Sequence, residues 1–424
     1  MSRLIRVWEL AAVISVLALS ATAAPAAPAA PAGKIKVGVM HSLSGTMAPI
    51  ETALKDMTLM AIDDINAHGG VLGKQLEAVV VDPQSNWPLF AEKARELLSK
   101  EKVAVVFGCA TSVSRRAVLP VFEELKGLLF YPLSYEGEEI SKNVFYTGSV
   151  PTQQAIPAVD FLAKEGAKRF VLLGTDYVYP RVTYQVLRAY LASKGVADDD
   201  ILEKYTPFGH DDYQSIVADI KKFGQRGDTA VISMLMMESN EALYRELARQ
   251  GLTAMALPVL SLSVGEQEVR DMNSKAFVGQ LASWNYFMSL KNPANDAWKA
   301  QWVAYEKRKN VPDAAILPTN DRLEAAWIGV HLWKQAVQKA KTVSVNQVTL
   351  AMAGQKFNAP DGFTVEMDAK DHHLHKPLFI AQAQADGQFQ VLWTSNGLLK
   401  PQPWSPFLPR NQLKPDEPAS AKTK

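Results

Sequence analysis

The apolar and polar positions of the chain alternate between two periods. Ile35 to Met40 is a continuous apolar run of the kind a strand covered on both faces requires. Ile50, Leu54, Met57, Ala61 and Ile65 then fall at helical spacing on one face, and Gly69-Gly70 ends it. Leu76 to Val81 repeats the strand pattern, and Leu89, Phe90, Ala94, Leu97 and Leu98 repeat the helical one. A third strand (Val103 to Phe107), a helix facing inward through Val118, Val121, Phe122 and Leu125, and a fourth strand (Leu128 to Tyr131) follow. Such a βαβαβαβ order predicts a parallel sheet with helices on both faces.

Around Thr147 to Pro151 the pattern pauses and restarts. Strands predicted at Phe170–Leu173, Ile201–Thr206, Thr229–Met234 and Leu257–Leu260 alternate with helices at Pro157–Lys164, Val182–Ser193, Tyr213–Phe223 and Ser239–Gln250. Beyond Gly279-Gln280 come two long helical stretches, Asn295–Lys309 and Arg322–Lys339. Candidate strands at Phe363–Met367, Leu378–Gln384 and Phe389–Trp393 close the pattern, with Asp386-Gly387 as a hairpin signal. The fold class is therefore α/β, two doubly wound parallel-sheet lobes in series. Two such lobes place their strand-end loops and helix N-termini around one cleft, which shuts on a ligand by hinge motion.

Composition narrows the function. The 424 residues suit two domains, and 45 Lys+Arg against 44 Asp+Glu give a net charge of +1, which favours neither nucleic acid nor an acidic membrane as partner. Arg3 and Arg6, the apolar Leu10 to Leu19 and the small Ala21-Thr22-Ala23 make residues 1–24 a cleavable secretory signal, and the Ala/Pro segment 25–33 a tether. The only cysteine is Cys109, so there is no internal disulfide and no lipid acceptor at the end of the signal, and the expected location is the periplasm without an anchor. Residues 410–424, Pro/Lys/Ala-rich from Lys414, are expected to be a disordered tail.

No P-loop, G-x-G-x-x-G, H-E-x-x-H, G-x-S-x-G or paired-Cys motif occurs, which argues against an enzyme and gives no catalytic residue and no cofactor. Cys109 directly follows an apolar strand and suits a small buried hydrophobe. Asp371-His372-His373-x-His375 has a metal-like look, but its spacing matches no standard ligand set and no metal is assigned. The turn Gly108-Cys109-Ala110-Thr111-Ser112 is more telling. A strand that ends in Gly and small hydroxyl residues before a helix aims unpaired N–H groups and hydroxyls at one spot. Capping of the helix by Thr111 or Ser112 for stability alone is the plainer alternative. The loop Pro132 to Gly137 adds Ser134 beside it, and Asp176, Tyr177 and Tyr179 before Pro180-Arg181 suit either a cleft wall or a core.

These stretches carry a resemblance. HSLSGTMA (His41 to Ala48), DINAHGGVLGK (Asp64 to Lys74), SNWPLFAEKA (Ser85 to Ala94), the segment Val106 to Gly137, TDYVYPR (Thr175 to Arg181), WNYF (Trp284 to Phe287), EAAWIGVHLWKQAV (Glu324 to Val337) and DHHLHKP (Asp371 to Pro377) occur in the order of one family. The chain resembles the periplasmic urea and short-chain amide binding proteins of ABC transporters, in the leucine/isoleucine/valine-binding superfamily.

The resemblance implies a type I periplasmic binding protein whose lobes are joined by three crossovers. Lobe 1 would be residues 34–148 plus 281–375, and lobe 2 residues 149–280 plus 376–409. It implies capture of urea or a short-chain amide and delivery to a membrane permease with its ATPase subunits. A larger amide, amino acid or amine-bearing solute, or a role as an amide sensor, is the alternative. Thr111 and Ser112 would bond the ligand, Tyr131 would line the pocket, and Tyr177 and Tyr179 would come from the opposite lobe. Ala110 stands where relatives carry an aromatic, which enlarges the pocket, and Leu133 stands where some carry a hydroxyl. Met236 and Met237 would fill the space, and Glu238 would either pair with a ligand ammonium or serve the first turn of its helix.

Overall fold

The computed structural model describes residues 33–272 and 275–414, so the signal and nearly all of the tether lie outside the described residues. In chain order it opens with β1 (Lys34–Met40), α1 (Ala48–Ala67), β2 (Gln75–Val81), α2 (Trp87–Arg95), β3 (Val106–Gly108), α3 (Ser112–Glu124), β4 (Leu129–Tyr131) and β5 (Val144–Tyr146). The five strands form one parallel sheet in the order β2-β1-β3-β4-β5. Its centre is nearly all apolar, as two-sided cover demands. Phe107, Phe130 and Phe145 stack across three neighbouring strands at 5.4 and 5.2 Å, and Trp333 meets Phe107 edge-on at 6.1 Å. Each such pair contributes about 1 kcal/mol beyond simple burial.

The second lobe continues with α4 (Ala155–Lys164), β6 (Arg169–Thr175), α5 (Val178–Ser193), β7 (Ile201–Thr206), α6 (Gln214–Gly224), β8 (Thr229–Met234), α7 (Ser239–Arg249), β9 (Val259–Ser261), α8 (Glu266–Met272) and β10 (Leu281–Trp284). The chain then returns to the first lobe with α9 (Pro293–Arg308), α10 (Asp321–Ala340), α11 (Val345–Met352) and a small sheet of β11 (Lys356–Asn358), β12 (Thr364–Met367) and β13 (Leu374–His375). The hairpin β14 (Phe379–Ala383) and β15 (Phe389–Thr394) goes back to lobe 2, whose sheet has the order β15-β14-β10-β9-β8-β6-β7. Its turn is the expected one, with Gly387 at φ +79° and Asp386 accepting the Gln388 N–H at 3.0 Å.

Two boundaries differ from expectation. β10 was expected to open the return to lobe 1, yet it sits between β14 and β9 in the second sheet. A run of only four residues carries no periodicity that says which sheet will take it. The second difference is at the tail, where residues 410–414 were expected to be disordered. Arg410 Nε donates to Glu138 Oε2 at 3.2 Å, and Asn411 Nδ2 to Glu138 Oε1 at 2.7 Å. The segment holding them also packs Phe407 edge-on against Tyr190 at 4.9 Å, so it is pinned to both lobes.

Three segments pass between the lobes, at Gly148–Gln154, Trp284–Tyr286 and His375–Pro377. They touch one another closely. Gly148 lies so near the Leu133 carbonyl that a Cβ there would sit 2.0 Å from its oxygen, a distance only glycine allows.

Candidate functional site

The turn after β3 is shaped by two unusual residues. A Cβ on Gly108 would come within 2.4 Å of the Met40 carbonyl oxygen, and Cys109 adopts φ +68°. The chain thereby turns sharply into α3, where Thr111 is the N-cap. Its hydroxyl accepts the Ser114 N–H at 3.0 Å and donates to Ser114 Oγ at 2.9 Å. Capping therefore does occupy Thr111. Ser112 begins the helix, and its hydroxyl donates to Glu136 Oε2 at 2.5 Å. Helix geometry leaves the amides of Ser112 and Val113 without intrahelical acceptors.

A small cavity of about 40 Å³ lies against this turn. From lobe 1 it is lined by Ala110, Thr111, Ser112, Tyr131, Leu133 and Ser134. From lobe 2 come Tyr177, Tyr179, Met236, Leu262, Ser263 and Trp284, and Arg322 arrives from the first turn of α10. Seven of the eight residues singled out in the sequence thus share one cavity between the lobes. Tyr177 and Tyr179 reach it because α5 begins hard against β6, where a Cβ on Gly174 would lie 2.7 Å from Pro180 Cβ.

Glu238 is the exception. Met237 at φ +57° turns the loop after β8, so that Met236 faces the cavity and Glu238 points away. Glu238 is exposed just before α7 and lines a separate hollow of about 250 Å³, with Pro49 and Ile50 of lobe 1 opposite Glu241, Glu268 and Asp271. Its assignment to the ligand pocket is corrected accordingly.

Sequence reasoning missed Leu262, Ser263, Trp284 and Arg322. Arg322 is 8% exposed, with Nη1 donating to Glu268 Oε1 at 2.7 Å, Nη2 to the Ser263 carbonyl at 3.1 Å, and its guanidinium 5.4 Å from the Trp284 ring. An arginine starting a long amphipathic helix carries no local sign that it will face a cleft.

Polar groups behind the cavity are densely paired, with two exceptions. Arg116 donates to Glu136 Oε1 at 2.6 Å, and Arg115 lies 3.5 Å from the same oxygen while donating Nε to Glu139 at 2.9 Å. Burial alone would lower the Arg115 guanidinium, but Glu139 and Glu136 outweigh it and hold it above its ordinary value. The exceptions are Arg115 Nη1 and the Tyr131 hydroxyl, both buried without a hydrogen-bond partner. Desolvation raises the phenols of Tyr131, Tyr177 and Tyr179, so all three remain neutral donors at physiological pH. Burial likewise raises the Cys109 thiol, which keeps it from acting as a thiolate nucleophile.

The histidine cluster is divided among separate partners. His373 stacks on Tyr146 at 4.2 Å and its Nε2 lies 2.5 Å from the Tyr135 hydroxyl. His372 stacks on Phe145 at 4.4 Å, and His375 Nε2 meets Asp368 at 2.9 Å.

A family model described as a periplasmic binding protein domain matches residues 35–410. The chain belongs to the periplasmic binding protein family. The family and the relative matched along most of the chain are named as binding proteins, not as enzymes. The chain is 24% identical over 345 residues to the leucine-, isoleucine-, valine-, threonine- and alanine-binding protein of Pseudomonas aeruginosa, covering 77% of this chain and 84% of that one. With a Leu/Ile/Val-binding protein homolog of Brucella melitensis it shares 29% identity over 233 residues, 51% of this chain. It spans 56% of that relative's length.

Among solved structures, a solute-binding protein of an ABC transporter from Rhodopseudomonas palustris in complex with p-hydroxybenzoic acid superimposes with a TM-score of 0.74 at 21% identity, over 88% of this chain and 98% of that one. A branched-chain amino acid transporter substrate-binding protein from Streptococcus pneumoniae in complex with isoleucine gives 0.69 at 20%, over 87% and 100%. This periplasmic binding protein therefore has the type I fold of those neighbours, and none of its described helices is long and apolar enough to cross a membrane.

Proposed function

We propose that this periplasmic binding protein is the solute-binding component of an ABC importer. Exported by residues 1–24, it captures urea or a short-chain amide between its lobes and delivers it to the permease and its ATPase subunits. The observation that carries the reading is the size and lining of the inter-lobe cavity. About 40 Å³ accommodates a solute of roughly three or four non-hydrogen atoms, the size of urea. So small a solute has little apolar area to bury, and its affinity must come from satisfied hydrogen bonds. The unpartnered Tyr131 hydroxyl and the first amides of α3 suit a carbonyl oxygen, and the hydroxyl oxygens of Thr111 and Ser112 suit N–H groups.

A second reading is a carboxylate-bearing solute, an amino acid or an aromatic acid. Arg322 in the lining and the relatives named for amino acids and hydroxybenzoate support it. It requires Met236 and Leu133 to move aside, and Arg322 is already paired with Glu268. Calorimetric titration of the mature protein with urea, acetamide, formamide, leucine and 4-hydroxybenzoate separates the two. Saturable binding of urea or an amide at micromolar to millimolar concentration is expected. Binding of leucine or 4-hydroxybenzoate alone overturns the amide reading and leaves the family assignment intact.

A further inference from the structure

We propose that Glu136 fixes the polarity of the binding site through Ser112, holding that hydroxyl as an acceptor so that the site takes N–H-bearing amides and rejects the isosteric carboxylates. The inference rests on the amide reading and adds to it a residue that does not line the cavity.

The argument begins with the single proton of a serine hydroxyl. Ser112 is 2% exposed and lines the cavity, and its Oγ lies 2.5 Å from Glu136 Oε2. Glu136 is buried and stands between two guanidinium groups, Arg116 at 2.6 Å and Arg115 at 3.5 Å. Guanidinium donates and never accepts, so the carboxylate between them accepts from every side. The Ser112 proton is therefore directed away from the cavity, and what Oγ offers a ligand is a lone pair.

Thr111 repeats the arrangement by a different route. Its proton points to Ser114 Oγ at 2.9 Å, inside the capping box. Two cavity-lining residues at the start of α3 thus keep their hydroxyl protons from the ligand, with one lone pair of Thr111 Oγ1 already taken by the Ser114 N–H, while Tyr131 offers an uncommitted donor. Across the cavity Tyr179 commits its own proton to Gln154 Oε1 at 3.2 Å. Donors on one side (the Tyr131 hydroxyl and the first amides of α3) and hydroxyl acceptors on the other match an amide or urea, which has one carbonyl and one or two NH₂ groups. A carboxylate placed the same way would set its second oxygen against two lone pairs, and sites that leave buried polar groups mismatched discriminate strongly. The alternative is that the Ser112–Glu136 bond only anchors the loop Pro132 to Gly137 to α3.

Acetamide and acetate, equal in shape and opposite at one position, decide the matter. Calorimetric titrations would use the wild type, Ser112→Ala, Glu136→Gln and the double variant, each checked by thermal melting. Wild type is expected to favour acetamide over acetate by roughly a hundredfold or more, and Ser112→Ala to weaken acetamide roughly tenfold without weakening acetate. Glu136→Gln, whose amide can donate to Ser112 and release its proton to the cavity, is expected to shrink the same preference and to have no further effect once Ser112 is alanine. Equal losses for acetamide and acetate in Ser112→Ala, or independent effects in the double variant, overturn the proposal. Should Glu136→Gln fail to fold, the Ser112→Ala ratio decides by itself. A wild type that binds no urea or amide removes the amide reading and this inference with it, whereas binding with an unchanged ratio removes the inference alone.

Discussion

Asn285 donates its side-chain N–H to the Pro377 carbonyl at 2.6 Å, which ties the second crossover between the lobes to the third. The same nitrogen lies 3.4 Å from the Gln153 carbonyl on the first crossover, and the Asn285 backbone N–H donates to Asp321 at 3.1 Å. One buried amide thus touches all three strands of the hinge. Replacing it with alanine leaves two buried carbonyls without that donor, at a cost of about 2 kcal/mol. Asn285→Ala is expected to lower the unfolding free energy by that amount in guanidinium chloride, and the midpoint with it. Because the linkage between the crossings loosens, the ligand-free protein should also show a larger radius of gyration by solution scattering. An unchanged midpoint and radius would mean that Asn285 is a passive filler.

Tyr131 predicts opposite effects on binding and stability. Its hydroxyl is buried without a partner, and a buried unpaired donor costs about 1–3 kcal/mol. Tyr131→Phe removes that donor, so its melting temperature should match or exceed that of the wild type. Affinity for the solute should fall roughly fivefold to thirtyfold, since the same hydroxyl is the donor offered to the solute carbonyl. Loss of stability together with loss of binding would instead assign the hydroxyl to the core.

Much of this was legible in the residues, for reasons that differ from element to element. The strands Ile201–Thr206 and Thr229–Met234 coincide with their expected limits because an apolar run between turn residues has few other fates. The turn Ala110-Thr111-Ser112, which lines the cavity between the lobes, stood out because strand, small hydroxyls and helix occur together in sequence. What stayed hidden depends on the meeting of distant segments. β10 could not be placed because its partners, β9 and β14, lie on both sides of it in the sequence by very different intervals. Arg322 looks like any first-turn residue until Ser263 and Glu268 meet it. Glu238 was misplaced because a single left-handed residue, Met237, turns the chain so that Met236 before it lines the cavity and Glu238 after it does not.

Buried carboxyls give the protein a distinctive pH dependence. Burial pushes the Glu266 carboxyl up to about 8, and burial also raises Asp361, which lies beside Glu324 in the first lobe. A carboxyl whose folded value exceeds its unfolded one holds a proton in the folded state that the unfolded state has already released. Stability therefore declines as pH rises from the unfolded value toward the folded one. His372 opposes this at lower pH, because burial lowers it to about 4 and the folded state then binds fewer protons than the unfolded state. The decline should stand clear between about pH 6.5 and 8.5, above the ordinary histidine range. Denaturation midpoints across that window are expected to fall for the wild type and to flatten in Glu266→Gln, which retains an oxygen to accept the Met288 N–H. A midpoint that rises with pH across the same window would contradict the buried protonated carboxyl.

On the proposed function, Met236 is expected to set the upper limit on solute size. Its backbone N–H is held by Thr175 Oγ1 at 3.0 Å, so the side chain projects from a fixed point into the cavity opposite Ala110 and Leu133. Met236→Ala removes Cγ, Sδ and Cε from the lining and leaves the backbone anchor in place. Since the side chain is only half-buried, the loss of packing should cost about 1–2 kcal/mol. Binding should shift accordingly, with urea weakened by the looser fit and longer amides such as butyramide gaining relative to it by roughly tenfold, the scale expected for one or two methylenes in an apolar pocket. Calorimetry with a series from formamide to butyramide measures the shift directly. If the order of preference along the series is the same in Met236→Ala and the wild type, the thioether does not bound the site, and the limit on size must come from Leu133 or Tyr177 instead.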